Sequence, residues 1–495
     1  MRFTWNDHTV EYELFEPKGG EAPLPLVVCL SGGPDDDVAA RLRAEENQAR
    51  HPSFILEAAP RDWTDPENAQ ALQRLLFDIR RRYGMDLCRT TIAGQGDGAI
   101  GVWHMIGSYP RLFAGAVAVG GCGDPYRARN AKFVPIWAFH AADDAAIHAS
   151  APTERNGRRF LAGTRRLIHA LRTDGGELTR YTEWESAATA PGSAVFSSPE
   201  VLDWLYAQDR KDVYYVTWVK PGVFRIDDWF MASCYLIEGA ERALLVDTTM
   251  GRAPLMPLVK RLTRLPVSLA VTHPHLDHML HIDEFETTYI HEKDAADIAG
   301  HVERMHGVMT AMGADFGTGI RRERKAEDQR VIGLKNGDVI ALGGCDVEMW
   351  DLPGHTANHT VFIDHGHRCV FTGDAVGSGC VVGVRFPKGQ FRETYAHYRD
   401  ALDRFIERMR SLGEYTYFGG HFIQENSVDD PMQEDYLNGQ STFFVPLSFD
   451  VVLDMRTLCD EMLAGRHDAA IWQAVERGDE FILTHGNASL AGRQL

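Results

Sequence analysis

VTHPHLDHML, residues 271–280, is the stretch that decides the second half of the chain. It continues VSLAVT (267–272), an apolar, β-branched run that reads as a buried strand. Past the strand it sets out His273, His275, Asp277 and His278 in the spacing His-x-His-x-Asp-His. Residues two apart at a strand end can face one point, and the Asp-His pair that follows turns to a neighbouring point. Imidazole and carboxylate are ligands that Zn²⁺ takes.

Three segments downstream add donors of the same kind: LPGHT with His355, FTGDAV with Asp374 and FGGHF with His421. Asp374 and His421 follow strand-like runs and glycine turns, which places both in loops at strand ends. Of the 21 histidines, 13 lie between 273 and 421, more than composition alone explains. One His-x-His-x-Asp-His arises by chance or as a surface cluster; four motifs in this order within roughly 150 residues are a strong signal.

On these motifs the chain from about 213 to 495 resembles the metallo-β-lactamase superfamily of hydrolases. The resemblance implies a sandwich of two β-sheets flanked by helices (αββα), with metals at one edge. By position, His273, His275 and His355 would hold one ion, and Asp277, His278 and His421 a second. Asp374 would bridge the two. Asp247, in ALLVDT (243–248), matches the family's first motif, where the aspartate supports the site without ligating. The implied cofactor is two divalent metal ions, zinc first. Two ions sharing a water bring its pKa to about 7, which supplies a bridging hydroxide to attack a carbonyl or phosphoryl centre. Asp277 would take the proton and pass it to the leaving group.

The ligand set also discriminates within the superfamily. No Cys stands at the Asp374 position, against one major β-lactamase class, and His275 stands where flavin-linked di-iron relatives have Glu. The expected reaction is hydrolysis of an ester, thioester, lactone or amide of a small molecule. Two other readings stay open: a mononuclear iron enzyme similar to persulfide dioxygenases, and a binding or assembly protein. His359 reads as structural or as a neighbour that orients ligands. His281 lines the pocket or sits half-exposed in a loop. His365, His367 and His397 read as solvated or packing residues. The Met-rich stretch within 301–324 reads as a core helix or an apolar pocket wall.

The first half has a different grammar. Up to about 208, short buried strands (25–30, 53–58, 90–94, 114–120, 134–139) alternate with helical stretches such as 68–84 and 157–176. Alternation of this kind predicts an α/β unit, a mostly parallel sheet with helices on both faces. A polar seam, YAQDRKDVYY (206–215), puts a boundary near Arg210, giving units 1–210 and 211–495. TIAGQGDGAIGVWHMIGSYPRLF (91–113), then AGAVAVGG and WAFHAADD (137–144), resemble α/β-hydrolases of the esterase and dienelactone-hydrolase kind. In that family Gly-x-Ser-x-Gly presents a nucleophile at a strained strand-to-helix turn. Here the middle position is Gly96, the acid position is Asp144, and the histidine position falls at Thr189. Ser31 stands where the family often has His. Asp97 is a poor substitute nucleophile, because Gln95 occupies one of the two positions that must be small. The first half is therefore expected to be an inactive accessory, substrate-binding or assembly domain.

The 495 residues exceed one ordinary core, and the net charge of −19 excludes a broad nucleic-acid surface; the short basic run at 321–325 reads as a solvated helix face. No apolar run approaches the ~18 residues of a membrane helix. The eight cysteines (29, 88, 122, 234, 345, 369, 380, 459) contain no CxxC pair. With no signal-peptide pattern at the N-terminus, they point to reduced thiols in a cytoplasm. A small molecule is the expected partner, and a homodimer the expected assembly.

Overall fold

Leu26–Leu30 and Thr90–Gln95 form the middle of the first unit. In the computed structural model, residues 1–33, 36–59, 61–155, 158–186, 192–229, 232–311, 330–377, 382–421, 424 and 447–495 are described. The chain divides between Val213 and Tyr214. In the first unit eight strands run in the order Arg2–Trp5, His8–Phe15, Phe54–Ala58, Leu26–Leu30, Thr90–Gln95, Gly115–Val119, Ile136–Ala141, Thr179–Trp184. The last six are parallel; the N-terminal hairpin joins antiparallel at Phe54–Ala58. Period-2 alternation sends Leu26, Val28 and Leu30 into one core and Val27 and Cys29 into the other, so both faces need helices. Pro66–Tyr83 covers the first face. Asp65 caps its start by accepting from the Glu67 N–H, and Gly84, at φ +58°, ends it in the left-handed region.

One expected helix is shorter. Arg158–Gly163 is a strand, paired with Pro152–Arg155 and Cys122–Gly123, and the helix begins only at Thr164. A Cβ on Gly163 would lie 2.0 Å from the His148 carbonyl oxygen, so the chain crosses there at backbone distance. Local helix propensity loses to that tertiary contact.

The second unit is an αββα sandwich. A seven-stranded sheet runs Tyr215–Lys220, Val223–Asp227, Ser233–Glu238, Ala243–Val246, Val267–Ala270, Thr287–His291, Arg330–Leu334. A five-stranded sheet runs Val339–Ala341, Asp346–Asp351, Thr360–Asp364, Cys369–Gly373, Thr416–Gly419. Tyr235, Leu244 and Val246 of the first sheet meet Val347, Phe362, Phe371 and Phe418 of the second in one buried layer. Tyr235 lies 5.0 Å from Phe371 and 5.4 Å from Phe418, ring to ring, and its hydroxyl donates to the Gly419 carbonyl at 2.6 Å. That contact anchors the two strand ends that carry Asp374 and His421. Helices Phe391–Leu412 and Phe449–Leu463 cover the outer face of the five-stranded sheet, and Met256–Leu262 that of the other.

Among the described residues no helix is long and apolar enough to cross a membrane. None of the described cysteines is in a disulfide. Thr189, Cys380, the basic run 321–325 and the part of the Met-rich stretch beyond 311 lie outside the described residues; 298–311 is helical.

Candidate metal centre

Asp247, the segment 272–278 (which ends in the helical turn Leu276–Met279), His355, Asp374 and His421 all follow strands of the two sheets and meet at one end of the sandwich. Every residue predicted from the sequence as a ligand is brought there, in two groups. The first is His273, His275, His355 and Asp374; the second is Asp277, His278 and His421. His275 Nδ1 lies 3.0 Å from His273 Nε2 and 3.0 Å from His355 Nε2. His421 Nε2 is 3.2 Å, and His278 Nε2 3.5 Å, from Asp277 Oδ2. Asp374 Oδ2 faces both groups: 3.4 Å to His421, 3.5 Å to His278, 3.6 Å to His355 and 3.8 Å to His273.

These donors fit metal ions. Two imidazole nitrogens on one tetrahedral zinc stand about 3.3 Å apart, close to the spacing in the first group. Unmetallated, converging imidazole lone pairs offer each other little. His278 Nε2 and Asp374 Oδ1 are buried with no hydrogen-bond partner, a costly state that a cation relieves.

Hydrogen bonds behind the donors set the tautomers. Asp247, at φ +62° and almost fully buried, accepts from the Thr272 N–H at 2.7 Å and the Thr272 hydroxyl at 2.8 Å. Its Oδ2 also takes the His278 Nδ1–H at 2.9 Å, which leaves His278 Nε2 as the lone pair facing the site. With its proton given to Asp247, the Thr272 oxygen accepts from His273 Nδ1–H at 3.0 Å, so His273 also presents Nε2. Asp247→Asn is expected to lower metal affinity about 10- to 100-fold by upsetting this relay. Zinc-competition titration of the purified variant measures it; unchanged affinity would remove Asp247 from this role.

The two groups differ in charge. Burial, then its neighbours His278 and His275, hold the His273 imidazole well below its ordinary range. Burial and His355 bring His275 down to about 4, and burial lowers His355 as well. The first group is thus neutral imidazole, the form that ligates. In the second, burial opposes every charge, but the ions overcome it. His278 and His421 hold Asp277 well below the carboxylate range. Asp374 and Asp277 push His421 up to about 10, and Asp277, Asp374 and Asp247 raise His278 well above its ordinary value. A metal bound there replaces those protons.

Several residues escaped sequence reading. Gly420 has no room for a side chain: a Cβ would stand 2.6 Å from Asp374 Oδ1 and 2.7 Å from His278 Cε1. Buried Gln424 accepts from the His421 N–H at 2.8 Å and donates to the Gly373 and Val376 carbonyls, tying the His421 loop to the Asp374 loop. The doubled glycine in FGGHF was a visible signal for the first; nothing local marked the second. His359 stacks on His273 at 4.7 Å and accepts the Asp374 backbone N–H through Nε2, behind the donors. His281 is not half-exposed in a loop. It is buried, with Nδ1 2.6 Å from Glu284 and Nε2 2.9 Å from the Gly251 carbonyl, so it braces the loop after Asp247. His397 is exposed on its helix, as expected.

In the first unit the turn expected from the sequence at residues 94–98 is a tight strand-to-helix turn with glycine at its centre. Gly96 sits at φ +57°, ψ −119° between strand and helix. A Cβ on Gly98 would meet the Leu30 carbonyl at 2.0 Å, and one on Gly94 the Gly98 backbone at 2.6 Å, so both flanking glycines are sterically required. Above Gly96 itself nothing lies within 4 Å of a Cβ. The Gly32 N–H, on the loop that in such folds lends a donor to the oxyanion, is bonded to the Asp36 carboxylate at 2.7 Å. Asp144 spends its Oδ1 capping the Ala146 and Ile147 N–H groups.

Fold and site together define a metallo-β-lactamase domain in the C-terminal half; residues 227–421 match the Metallo-beta-lactamase superfamily. Among its relatives is the hydroxyacylglutathione hydrolase GloC of Haemophilus influenzae, 26% identical over 38% of this chain and 89% of the relative. Another is the human acyl-coenzyme A thioesterase MBLAC2, 24% identical over 41% of this chain and 78% of the relative. A thermostable esterase of known structure is 29% identical over 42% of this chain, with a TM-score of 0.36; the match spans 63% of that chain, less than two thirds.

Proposed function

We propose that the C-terminal half is a two-metal, zinc-dependent hydrolase of a small acyl thioester and that the N-terminal half takes no part in the chemistry. The observation that carries this reading is Asp374 Oδ2, within 3.8 Å of imidazole nitrogens from both donor groups. One shared carboxylate oxygen between two sets of three donors suits a pair of ions better than one. His273, His275 and His355 hold the first, and Asp277, His278 and His421 the second. When bound, the pair supplies an activated water at neutral pH and an electrophile for the carbonyl oxygen. Asp277 moves the proton. Its side chain is 17% exposed against 5% for Asp374 and 3% for Asp247, so it is the carboxylate with access to a leaving thiolate. Asp247 stays behind His278 and holds its proton at Nδ1. The thioester preference rests on the two curated relatives, whose names describe acyl groups on glutathione and on coenzyme A.

Purified full-length protein grown with zinc and iron is expected to carry about two zinc ions per chain and to hydrolyse acyl-CoA or acylglutathione. Chelation abolishes turnover and zinc restores it. One iron per chain with oxygen consumption on a thiol or persulfide would overturn the proposal.

For the N-terminal half, the missing Gly96 side chain and the Asp36 carboxylate on the Gly32 N–H both work against ester cleavage: an anion at that donor repels the oxyanion a hydrolase must stabilise. Asp97→Ala is accordingly expected to leave thioester turnover within about twofold of the parent. A folded variant without activity would show that the first unit does chemistry.

A further inference from the structure

We infer that Cys345, Asp364 and His367 form a separate binding site for one thiophilic divalent cation of the zinc class. Cys345 precedes strand Asp346–Asp351, Asp364 ends Thr360–Asp364, and His367 lies in the turn to Cys369–Gly373. Three residues from two chain reversals thus aim a thiol, a carboxylate and an imidazole at one point. Asp364 Oδ1 accepts from the Cys345 thiol at 3.0 Å and from the His367 backbone N–H at 3.0 Å; Oδ2 is 2.7 Å from His367 Nδ1. Cys345 Sγ stands 3.7 Å from His367 Nδ1. On a tetrahedral zinc a sulfur and a nitrogen ligand are about 3.6 Å apart.

The hydrogen bonds show how the cation would enter. The thiol proton and the Nδ1 proton both point at Asp364, and the ion takes their place, with the carboxylate moving back by a few tenths of an ångström. Cys345 loses its thiol proton to solvent, His367 keeps its proton by carrying it on Nε2 instead of Nδ1, and three bonds to the metal form, with one proton released per ion. Charge balances locally. Thiolate and carboxylate together cancel the two positive charges, so a neutral complex occupies a place where Asp364 is fully buried and Cys345 5% exposed. The fourth ligand has a route in, because His367 lines a cavity of about 810 Å³ with Lys220, Tyr415, Tyr417 and Phe449. A thiolate donor also sets the preference, since sulfur favours zinc over magnesium or calcium.

This site is not part of the centre at Asp374. The strand Cys369–Gly373 separates them, and its five residues cover roughly 17 Å. No ligand is shared. The ion would clip two turns of the five-stranded sheet together.

The separation gives a clean test. Full-length protein is stripped of metal and titrated with Co²⁺ while its absorption is followed. Among the described residues the donors at Asp374 are nitrogen and oxygen only, so a thiolate-to-cobalt charge-transfer band in the near ultraviolet that disappears with the Cys345 thiol reports this site and not the other. The expected result is such a band, lost in Cys345→Ser and in His367→Ala, with the visible cobalt bands of the Asp374 centre retained in both. Serine is nearly isosteric with cysteine, and circular dichroism checks that each variant folds. No near-ultraviolet band in the parent, or a band undiminished in Cys345→Ser, would overturn the inference and leave the three residues a hydrogen-bonded tie. Either outcome is independent of whether the Asp374 centre hydrolyses thioesters.

Discussion

Asp374→Ala is expected to lower kcat/KM for thioester hydrolysis by about 10³-fold or more, some 4 kcal/mol of barrier. Among the described residues its carboxylate faces both donor sets, with Oδ2 3.4 Å from His421 and 3.5 Å from His278 on one side and 3.6 Å from His355 on the other. Without it each of the two proposed ions would have one ligand fewer, and no side chain would hold the pair at a common oxygen. The fold should tolerate the change. The Asp374 backbone is held independently, its N–H donating to His359 and the Ala375 N–H to the Thr372 carbonyl. Metal analysis should show bound zinc falling from about two per chain towards one. A folded variant with more than a tenth of the parent activity would deny the carboxylate its bridging place, whatever the metal content.

Gly420→Ala adds one methyl group and is expected to cost about 10²-fold in turnover, with weaker metal retention under chelator. The new Cβ would sit 2.6 Å from Asp374 Oδ1, 2.7 Å from His278 Cε1 and 3.1 Å from the Gly373 backbone. Neither neighbour can yield freely. Asp247 pins His278 through Nδ1, and Gly420 is itself held, its N–H donating to the Gly373 carbonyl and its carbonyl accepting from Ser233. The strain therefore displaces donors from the ion, and misplacement by about 1 Å is enough for a loss of this size. Stability should change less than activity, which thermal melting of the metal-free protein separates from the kinetic effect. Full activity in Gly420→Ala would mean that the donor geometry is looser than these contacts imply.

The degree to which the sequence revealed the site differs from residue to residue. His273, His275, Asp277 and His278 were legible because they fall within one short stretch past a strand, where their spacing turns successive donors towards neighbouring points. Asp374 and His421 were legible through the strand-then-glycine context of each, and His355 through LPGHT in the order of the motifs. The α/β alternation of the first half was equally plain, since it rests on local period and turn residues. The helix expected from 157 failed where Gly163 meets the His148 carbonyl, a contact no local pattern encodes. His281 was misjudged for the same reason: its partners, Gly251 and Tyr214, lie far along the chain. His367 looked like one more solvated histidine until Asp364 and Cys345 were found beside it.

Donor chemistry was thus written in the linear chain: which side chains can bind a metal, that they gather between 273 and 421, and that a glycine, Gly96, stands at the centre of the first half's tight turn. Side-chain identity and short-range periodicity suffice for that. The folded molecule was needed for the rest: which nitrogen each histidine presents, why Gly420 admits no side chain, how Gln424 joins two loops, and where a thiol meets a carboxylate and an imidazole. Those properties are distances between groups that sequence separates, as Tyr235 and Gly419 are by 184 residues, and only packing brings such groups within hydrogen-bonding range.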